Sequence, residues 1–151
     1  MKKLLLLFFL LGTSVFTACD EEDDEIPQLD GTIGGEMWFY KYSKAIFNSV
    51  DQVFDVEMYG ARQSESDPCS IFISGETHLS VQIPNETGYF VIPSDIDVVF
   101  EQEGTGNEAF NATSGYVEIL SASSQQINGI MSADYDDGNT VEGSFFFERC
   151  N

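Results

Sequence analysis

The chain has 151 residues, with 26 acidic residues against six basic ones and a formal net charge of −20 at pH 7. Such an acidic surface repels phosphate backbones and anionic lipids, which argues against nucleic acid as a partner. His78 is the only histidine, which excludes metal sites that need several histidines.

The first residues are typical of a secretory signal. Lys2 and Lys3 precede an almost wholly apolar segment, residues 4–16. A helix of that length spans only about 20 Å, short of the ~30 Å hydrocarbon core of a bilayer, so the segment is not predicted to cross a membrane. We therefore predict a signal peptide over residues 1–18. Loss of Lys2 and Lys3 would bring the net charge of the remaining 133 residues to −22.

The residues at the end of this segment, Phe16-Thr17-Ala18-Cys19, resemble the lipobox of bacterial lipoproteins. The resemblance implies that Cys19 is diacylated and becomes the mature N-terminus, although Phe16 and Thr17 depart from the usual pattern. Two or more acyl chains hold a protein stably on a membrane, so the membrane is an expected partner. Ordinary secretion, with Cys19 as a bystander thiol, is the alternative.

Six consecutive acidic residues, 20–25, follow Cys19 directly. Like charges at this density repel each other and favour a solvated, extended tether. The run also resembles the acidic export signal of surface lipoproteins in Bacteroidetes-type bacteria, which implies display on the exterior of the outer membrane. A linker that is merely soluble is the alternative. Pro27 and the Asp30-Gly31 turn signal predict a tether over residues 19–30 and a single domain over residues 31–151.

Cys69 and Cys150 are the two cysteines that remain when Cys19 carries lipid. An even pair in an exported protein predicts a disulfide between them, because exported proteins fold in an oxidising environment. Two free thiols are the alternative.

The composition after residue 31 is rich in Phe, Tyr, Val, Ile, Ser and Thr and is interrupted by Gly, Asn and Asp. This composition predicts an all-β fold, a single antiparallel β-sandwich or barrel-like domain. Besides a final hairpin, we predict strands over residues 54–61, 70–74, 78–84, 88–92, 97–102 and 115–121. Residues 44–58 are ambiguous: we prefer two strands around a turn at residues 48–52 to a single helix.

The final hairpin, residues 127–150, is the clearest element. We place a three-residue loop at residues 136–138, with Gly138 in the left-handed conformation that such loops need. Tyr135 then faces Asn139, which puts the odd-numbered, mostly apolar residues on one face. A shift of one residue would mix apolar and polar side chains, so the sequence specifies the register.

Several short motifs occur in a fixed order along the domain. They are Trp38 with its aromatic strand, Ser66-Asp67-Pro68-Cys69, Gly88-Tyr89-Phe90-Val91-Ile92, Ser114-Gly115-Tyr116-Val117-Glu118-Ile119, Ile127-Asn128-Gly129 and Val141-Glu142-Gly143-Ser144-Phe145, ending at Cys150. The ordered set resembles a family of short Bacteroidetes lipoproteins catalogued as a domain of unknown function. The resemblance supports the β fold and the Cys69–Cys150 pair, and it implies no activity.

Candidate catalytic and metal-binding motifs are weak. His78 alternates with Ser80 and Gln82 on the polar side of a predicted strand, and no GxSxG, P-loop or GxGxxG motif is present. Residues 134–139 are acidic, but Gly138 is in the fifth place where a calcium loop needs glycine in the sixth. The sequence therefore predicts no enzyme activity, no cofactor and no metal.

The best binding candidate is an aromatic segment. In one strand Trp38, Tyr40 and Tyr42 would share a face, and aromatic rings stack on sugars and other planar groups. A core role for the same face is the alternative.

Together these features predict a surface-anchored binding or accessory module whose partner is an outer-membrane protein or a glycan. A small hydrolase of cell-surface or environmental glycans and a structural or assembly component of the envelope are the alternatives.

Overall fold

The computed structural model describes residues 27–60, 69, 75–102, 108–123 and 125–150. In these ranges 72% of the residues lie in strands and none lies in an α-helix, which confirms the all-β fold class. None of this part of the chain forms a helix long and apolar enough to cross a membrane. Cys19, the acidic run and the strand predicted at residues 70–74 lie outside the described residues.

Eleven strands make up the described part of the domain. They are β1 (Asp30–Ile33), β2 (Glu36–Phe39), β3 (Tyr42–Asn48), β4 (Val53–Tyr59), β5 (His78–Pro84), β6 (Gly88–Ile92), β7 (Val98–Gln102), β8 (Glu108–Asn111), β9 (Ser114–Ala122), β10 (Gln126–Asp136) and β11 (Asn139–Cys150).

The strands form two sheets that share β11. Sheet A has the order β6-β9-β10-β11-β1-β2, and sheet B continues from the end of β11 as β3-β4-β5-β7-β8. β11 pairs with β1 through residues 140–142 and then, in parallel, with β3 at Arg149 and Cys150. The result is a curled open sheet, a half-barrel.

Strand alternation places one continuous hydrophobic core inside the curl. Along each strand the inward residues are apolar and the outward residues are mostly polar, as expected for sheets with one solvated face. The inward residues of both sheets belong to the same cluster. Among them are Phe54, Val56, Leu79, Val81, Phe100, Val117, Ile127, Met131, Phe145 and Phe147.

The hairpin of β10 and β11 has the predicted register. Met131 faces Gly143 and Ala133 faces Val141, so odd positions pair with odd positions. The turn differs from the prediction, because Asp136 faces Asn139 across a two-residue turn at residues 137–138. An irregularity between residues 134 and 136 inserts the extra residue that restores the predicted pairing of faces.

The predicted left-handed conformation of Gly138 is wrong. Gly138 is not among the residues with positive φ. The side chain of Asp136 closes the turn instead: its Oδ1 accepts hydrogen bonds of 3.0 Å from the backbone N–H of Gly138 and from Nδ2 of Asn139. A local aspartate bond of this kind replaces the backbone geometry that would have required glycine.

Residues 44–58 form strands and not a helix, as preferred from the sequence. β3 and β4 pair in antiparallel fashion from Tyr42 opposite Tyr59 to Asn48 opposite Val53. Oδ1 of Asn48 accepts hydrogen bonds from the backbone N–H groups of Val50 and Asp51, which stabilises the turn between the strands.

The ordered domain begins earlier than residue 31. Leu29 is fully buried, and its backbone N–H donates to the carbonyl of Ser144 at 2.8 Å. The N–H of Ser144 donates in turn to the carbonyl of Pro27 at 2.7 Å. Residues 27–30, predicted to be tether, therefore belong to the domain, because the buried Leu29 side chain and the backbone hydrogen bonds to Ser144 hold them against β11.

Candidate functional site

The aromatic segment proposed as a stacking face is buried, with Trp38 and Tyr40 in the hydrophobic core. Trp38, Tyr40 and Tyr42 have exposed fractions of 5%, 5% and 8%. The segment is not one strand, since β2 ends at Phe39 and β3 begins at Tyr42. Burial of all three rings leaves no aromatic face here on which a ligand could stack.

Tyr40 joins the two sheets. Its hydroxyl donates to the backbone carbonyl of Phe146 on β11 and accepts a hydrogen bond of 3.1 Å from the hydroxyl of Ser43 on β3. Burial raises the pKa of Tyr40, although the bond from Ser43 opposes that shift. These contacts give Tyr40 a structural role at the point where β11 passes from one sheet to the other.

Three rings stack in a row on the outward side of sheet B. The ring centroids of Tyr42 and Tyr59 are 5.3 Å apart, and those of Tyr59 and His78 are 4.9 Å apart. The hydroxyl of Tyr59 donates to Oε2 of Glu57 at 2.7 Å. Burial raises the pKa of Tyr59, and the hydrogen bond to the Glu57 carboxylate raises it further, since loss of the proton would place two negative charges together.

His78 lies on the solvated side of β5, as its alternation with Ser80 predicts. Its Nδ1 is 2.7 Å from the carbonyl oxygen of Glu76, and its Nε2 is 3.6 Å from Oε2 of Glu101. Ser80 donates its hydroxyl proton to Oε1 of Glu101 at 2.6 Å. The carboxylate therefore lies between serine and histidine, whereas an activated nucleophile needs the histidine in contact with the serine.

A groove of about 640 Å³ lies over the outward face of sheet B, and we call it the sheet B groove. Its walls include the segment of residues 93–97, and its volume is typical of small-ligand sites. Nε2 of Gln82 donates to Oδ1 of Asp55 at 2.8 Å across the floor. The residues that form its floor are Lys44, Ile46, Asp55, Glu57, Ser80, Gln82 and Val99.

The floor of the sheet B groove offers hydrogen-bond acceptors held in place by their neighbours. Asp55 is held by Gln82, and Glu57 by Tyr59. Ile46 and Val99 place apolar surface beside these polar groups. A floor of this kind suits a ligand that carries several hydroxyl or amide donors and some apolar surface.

A second groove, of about 1050 Å³, lies on the outward side of β11 near the start of β3. Gln28, Lys41, Leu120, Asn128 and Phe146 are among its lining residues. Leu120 and Phe146 are about half exposed there. The presence of Gln28 places this groove where the chain enters the domain.

The predicted disulfide between Cys69 and Cys150 is present in the structure, with the two Cα atoms 5.2 Å apart. That distance is in the usual range for disulfides. Cys150 also pairs with Ile46, so the bond ties residue 69 to the junction of β11 and β3. Within the described ranges, no group of three or more His, Cys, Asp or Glu side chains is arranged to hold a metal ion.

We compared the chain with protein-family models, with curated proteins and with solved structures, and none of the three comparisons found a match. The structure thus defines the class of protein, an all-β half-barrel domain.

The sheet B groove was not predicted from the sequence, although part of its signal was visible. Polar residues alternate with apolar ones along β4 and β5, and Asp55 and Gln82 are two of the polar positions. The alternation identifies an outward face on each strand. It does not show that the two strands are neighbours or that residues 93–97 form a wall.

Proposed function

We propose that this chain is a lipid-anchored protein on the exterior of the outer membrane, and that its β-domain is a binding or accessory module. The signal-like residues 1–18, the lipobox-like Cys19 and the acidic residues 20–25 support the anchoring. Only Ile26 separates the acidic run from Pro27, where the described domain starts. The domain would therefore be held close to the membrane surface.

The observation that carries the binding role is the sheet B groove. Its acceptors are oriented by hydrogen bonds from neighbouring side chains: Gln82 donates to Asp55 across two strands, and Tyr59 donates to Glu57 on the same strand. Preoriented groups lose little conformational freedom when a ligand binds, which favours affinity. A glycan supplies the hydroxyl donors that such a floor accepts, so we propose a glycan as the ligand class.

Binding of the full-length mature protein to a panel of neutral oligosaccharides tests this role. Asp55→Ala and Gln82→Ala each remove one half of the groove pair. The chain offers a matched control, because Gln126 donates to Glu148 at 3.2 Å across two strands of sheet A. We expect at least a tenfold loss of affinity for the two groove variants and none for Gln126→Ala or Glu148→Ala. Equal effects at both pairs would contradict the assignment of the groove.

Two measurements test the anchoring. Mass spectrometry of the mature N-terminus should find an acylated Cys19, and Cys19→Ser should release the protein from the membrane or leave it unprocessed. Replacement of residues 20–25 by Ala or Asn should keep the lipid but reduce accessibility to protease on intact cells. An unmodified N-terminus would contradict the anchor, and unchanged accessibility would reduce the acidic run to a solubilising linker.

The alternatives have distinct outcomes. A glycan-hydrolysing activity that persists through purification of the protein, and that is lost in Glu57→Gln or Glu101→Gln, would identify a hydrolase. Co-purification with an outer-membrane protein after gentle solubilisation would support the accessory role. An envelope defect in a deletion strain, without any glycan binding, would favour the assembly role.

A further inference from the structure

The first described residues lie beside β11, where Gln28 forms a parallel bridge with Ser144. The hydroxyl of Ser144 donates to the carbonyl of Pro27 at 3.1 Å. Ser144 lies between the inward residues Gly143 and Phe145 on β11, so its side chain is on the outward side. The carbonyl of Pro27, the first described residue, therefore lies next to an outward side chain of sheet A.

The outward face of sheet A also carries large apolar side chains that reach solvent. Tyr89, Leu120 and Phe146 have exposed fractions of 59%, 52% and 49%. The rings of Tyr89 and Tyr116 stack with centroids 5.1 Å apart. We call the following six residues the sheet A patch: Tyr89, Val91, Tyr116, Leu120, Ile130 and Phe146.

Strand register connects the sheet A patch to the position of Pro27. Ser144 faces Ile130 across β10 and β11. Ile130 faces Glu118 on β9, and Glu118 faces Tyr89 on the edge strand β6. One row of cross-strand neighbours thus runs from the position of Pro27 to the exposed Tyr89.

The outward face of sheet B has a different composition. Its rows present Asp55, Glu57, Ser80, Gln82 and Glu101, which hydrogen-bond to neighbouring side chains. Ile46 is the large aliphatic residue there that is half exposed. Both outward faces lie on the side of their sheet away from one shared core, and Pro27 lies beside the sheet A face.

The length of the chain before Pro27 limits where the domain can sit. Seven residues separate Cys19 from Pro27, and an extended chain advances about 3.4 Å per residue. Pro27 can therefore lie no farther than about 27 Å from Cys19. If Cys19 carries lipid, as proposed above, the face that holds Pro27 stays within that distance of the bilayer.

We infer that the sheet A patch rests on the surface of the bilayer, with its aromatic and aliphatic side chains at the level of the lipid headgroups. This inference rests on the proposed lipid anchor. Tyrosine is enriched at membrane interfaces because its ring is apolar and its hydroxyl is polar, and Tyr89 and Tyr116 fit that environment. In this orientation the sheet B groove faces the medium, where a soluble ligand reaches it.

The charges on the sheet A face select the kind of lipid. Glu118, Glu142 and Glu148 are outward residues of β9 and β11. Carboxylates at the surface repel anionic headgroups. The preferred surface is therefore made of zwitterionic phospholipid, and anionic lipid should weaken the contact.

Depth-dependent fluorescence quenching tests the orientation. The lipidated full-length protein is reconstituted into phosphatidylcholine vesicles that contain a brominated phosphatidylcholine. Tyr89→Trp, Leu120→Trp and Phe146→Trp place probes in the sheet A patch, and Ile46→Trp is the half-exposed control on sheet B. Trp38 is buried, so the unsubstituted protein provides the background signal. We expect quenching at least threefold stronger at the patch positions than at position 46.

Equal quenching at the four positions, or stronger quenching at position 46, would overturn the orientation. Flotation of the unsubstituted protein with the vesicles, compared with Cys19→Ser, reports the anchor separately. Failure to float would overturn the proposed anchor together with this inference. Flotation without preferential quenching would overturn the orientation alone. Vesicles that contain phosphatidylglycerol should reduce the difference between the patch and the control.

Discussion

Gly143 and Leu29 are in direct backbone contact: a β-carbon on Gly143 would lie 2.7 Å from the Cα atom of Leu29. Gly143 also has φ of +138°, a conformation that L side chains rarely adopt. Glycine at this position lets residues 27–29 lie against β11 and lets the Leu29 side chain enter the core.

Gly143→Ala should therefore destabilise the domain by about 3 kcal/mol or more. Backbone strain contributes about 1–3 kcal/mol, and loss of Leu29 burial contributes about 1.5–3 kcal/mol. Gly35→Ala is the matched control, because Gly35 has φ of +77° but its β-carbon would meet nothing within 4 Å. Denaturant unfolding should show a clearly larger loss of stability for Gly143→Ala than for Gly35→Ala. Equal losses would contradict the role of the contact between Gly143 and Leu29.

Trp38→Ala should lower the free energy of unfolding by about 3–5 kcal/mol, the range for removing a large aromatic side chain from a core. The indole also packs against Gly60, where a β-carbon would lie 2.7 Å from Nε1. Tyr89→Ala, on the exposed sheet A patch, should change stability by no more than about 0.5 kcal/mol. If denaturant unfolding shows only a small loss of stability for Trp38→Ala, the core role of Trp38 would be contradicted.

Reduction of the Cys69–Cys150 disulfide should lower stability by up to about 4 kcal/mol, because the bond closes a loop with a sequence separation of 81 residues. The double variant Cys69→Ser/Cys150→Ser should unfold at the same denaturant concentration as the reduced protein. A thiol-reactive reagent should find neither cysteine free in the native protein. Two reactive thiols before reduction would rule the bond out.

Alkaline pH should destabilise the domain through Tyr59. Burial and the bond to Glu57 raise the pKa of Tyr59 above its ordinary value near 10. Since the pKa is higher in the folded state, the neutral hydroxyl contributes stability that is fully present below about pH 10 and is lost as the pH rises further. The free energy of unfolding, measured at a series of pH values above about 10, should fall less steeply with pH for Tyr59→Phe than for the unsubstituted protein. Identical slopes would contradict this origin.

Much of the fold could be predicted from local patterns. The bounds predicted for β5 and β6 agree with the structure, because alternation and flanking turn residues identify both strands. The register of β10 and β11 was also predictable, since only one pairing separates the apolar and polar faces. The conformation of Gly138 was not, because a side chain, Asp136, determines that turn.

Other features depend on contacts between distant parts of the chain. β1 was not predicted, since it is stabilised by pairing with β11 more than 100 residues later. The single aromatic strand expected over residues 38–42 is divided between β2 and β3. The candidate site could not be predicted from local patterns for the same reason. The polar positions of Asp55 and Gln82 were visible in the sequence, but their hydrogen bond depends on the pairing of β4 with β5.

The membership of β11 in both sheets has a consequence for how the domain unfolds. Detaching β11 would break its ladder with β10, its pairs with β1 and its parallel contact with β3 at once. Loss of β11 would therefore leave both sheets without a neighbouring strand. We expect a single cooperative transition, in which amide hydrogens of β4 and β10 exchange with the same opening free energy although they lie in different sheets.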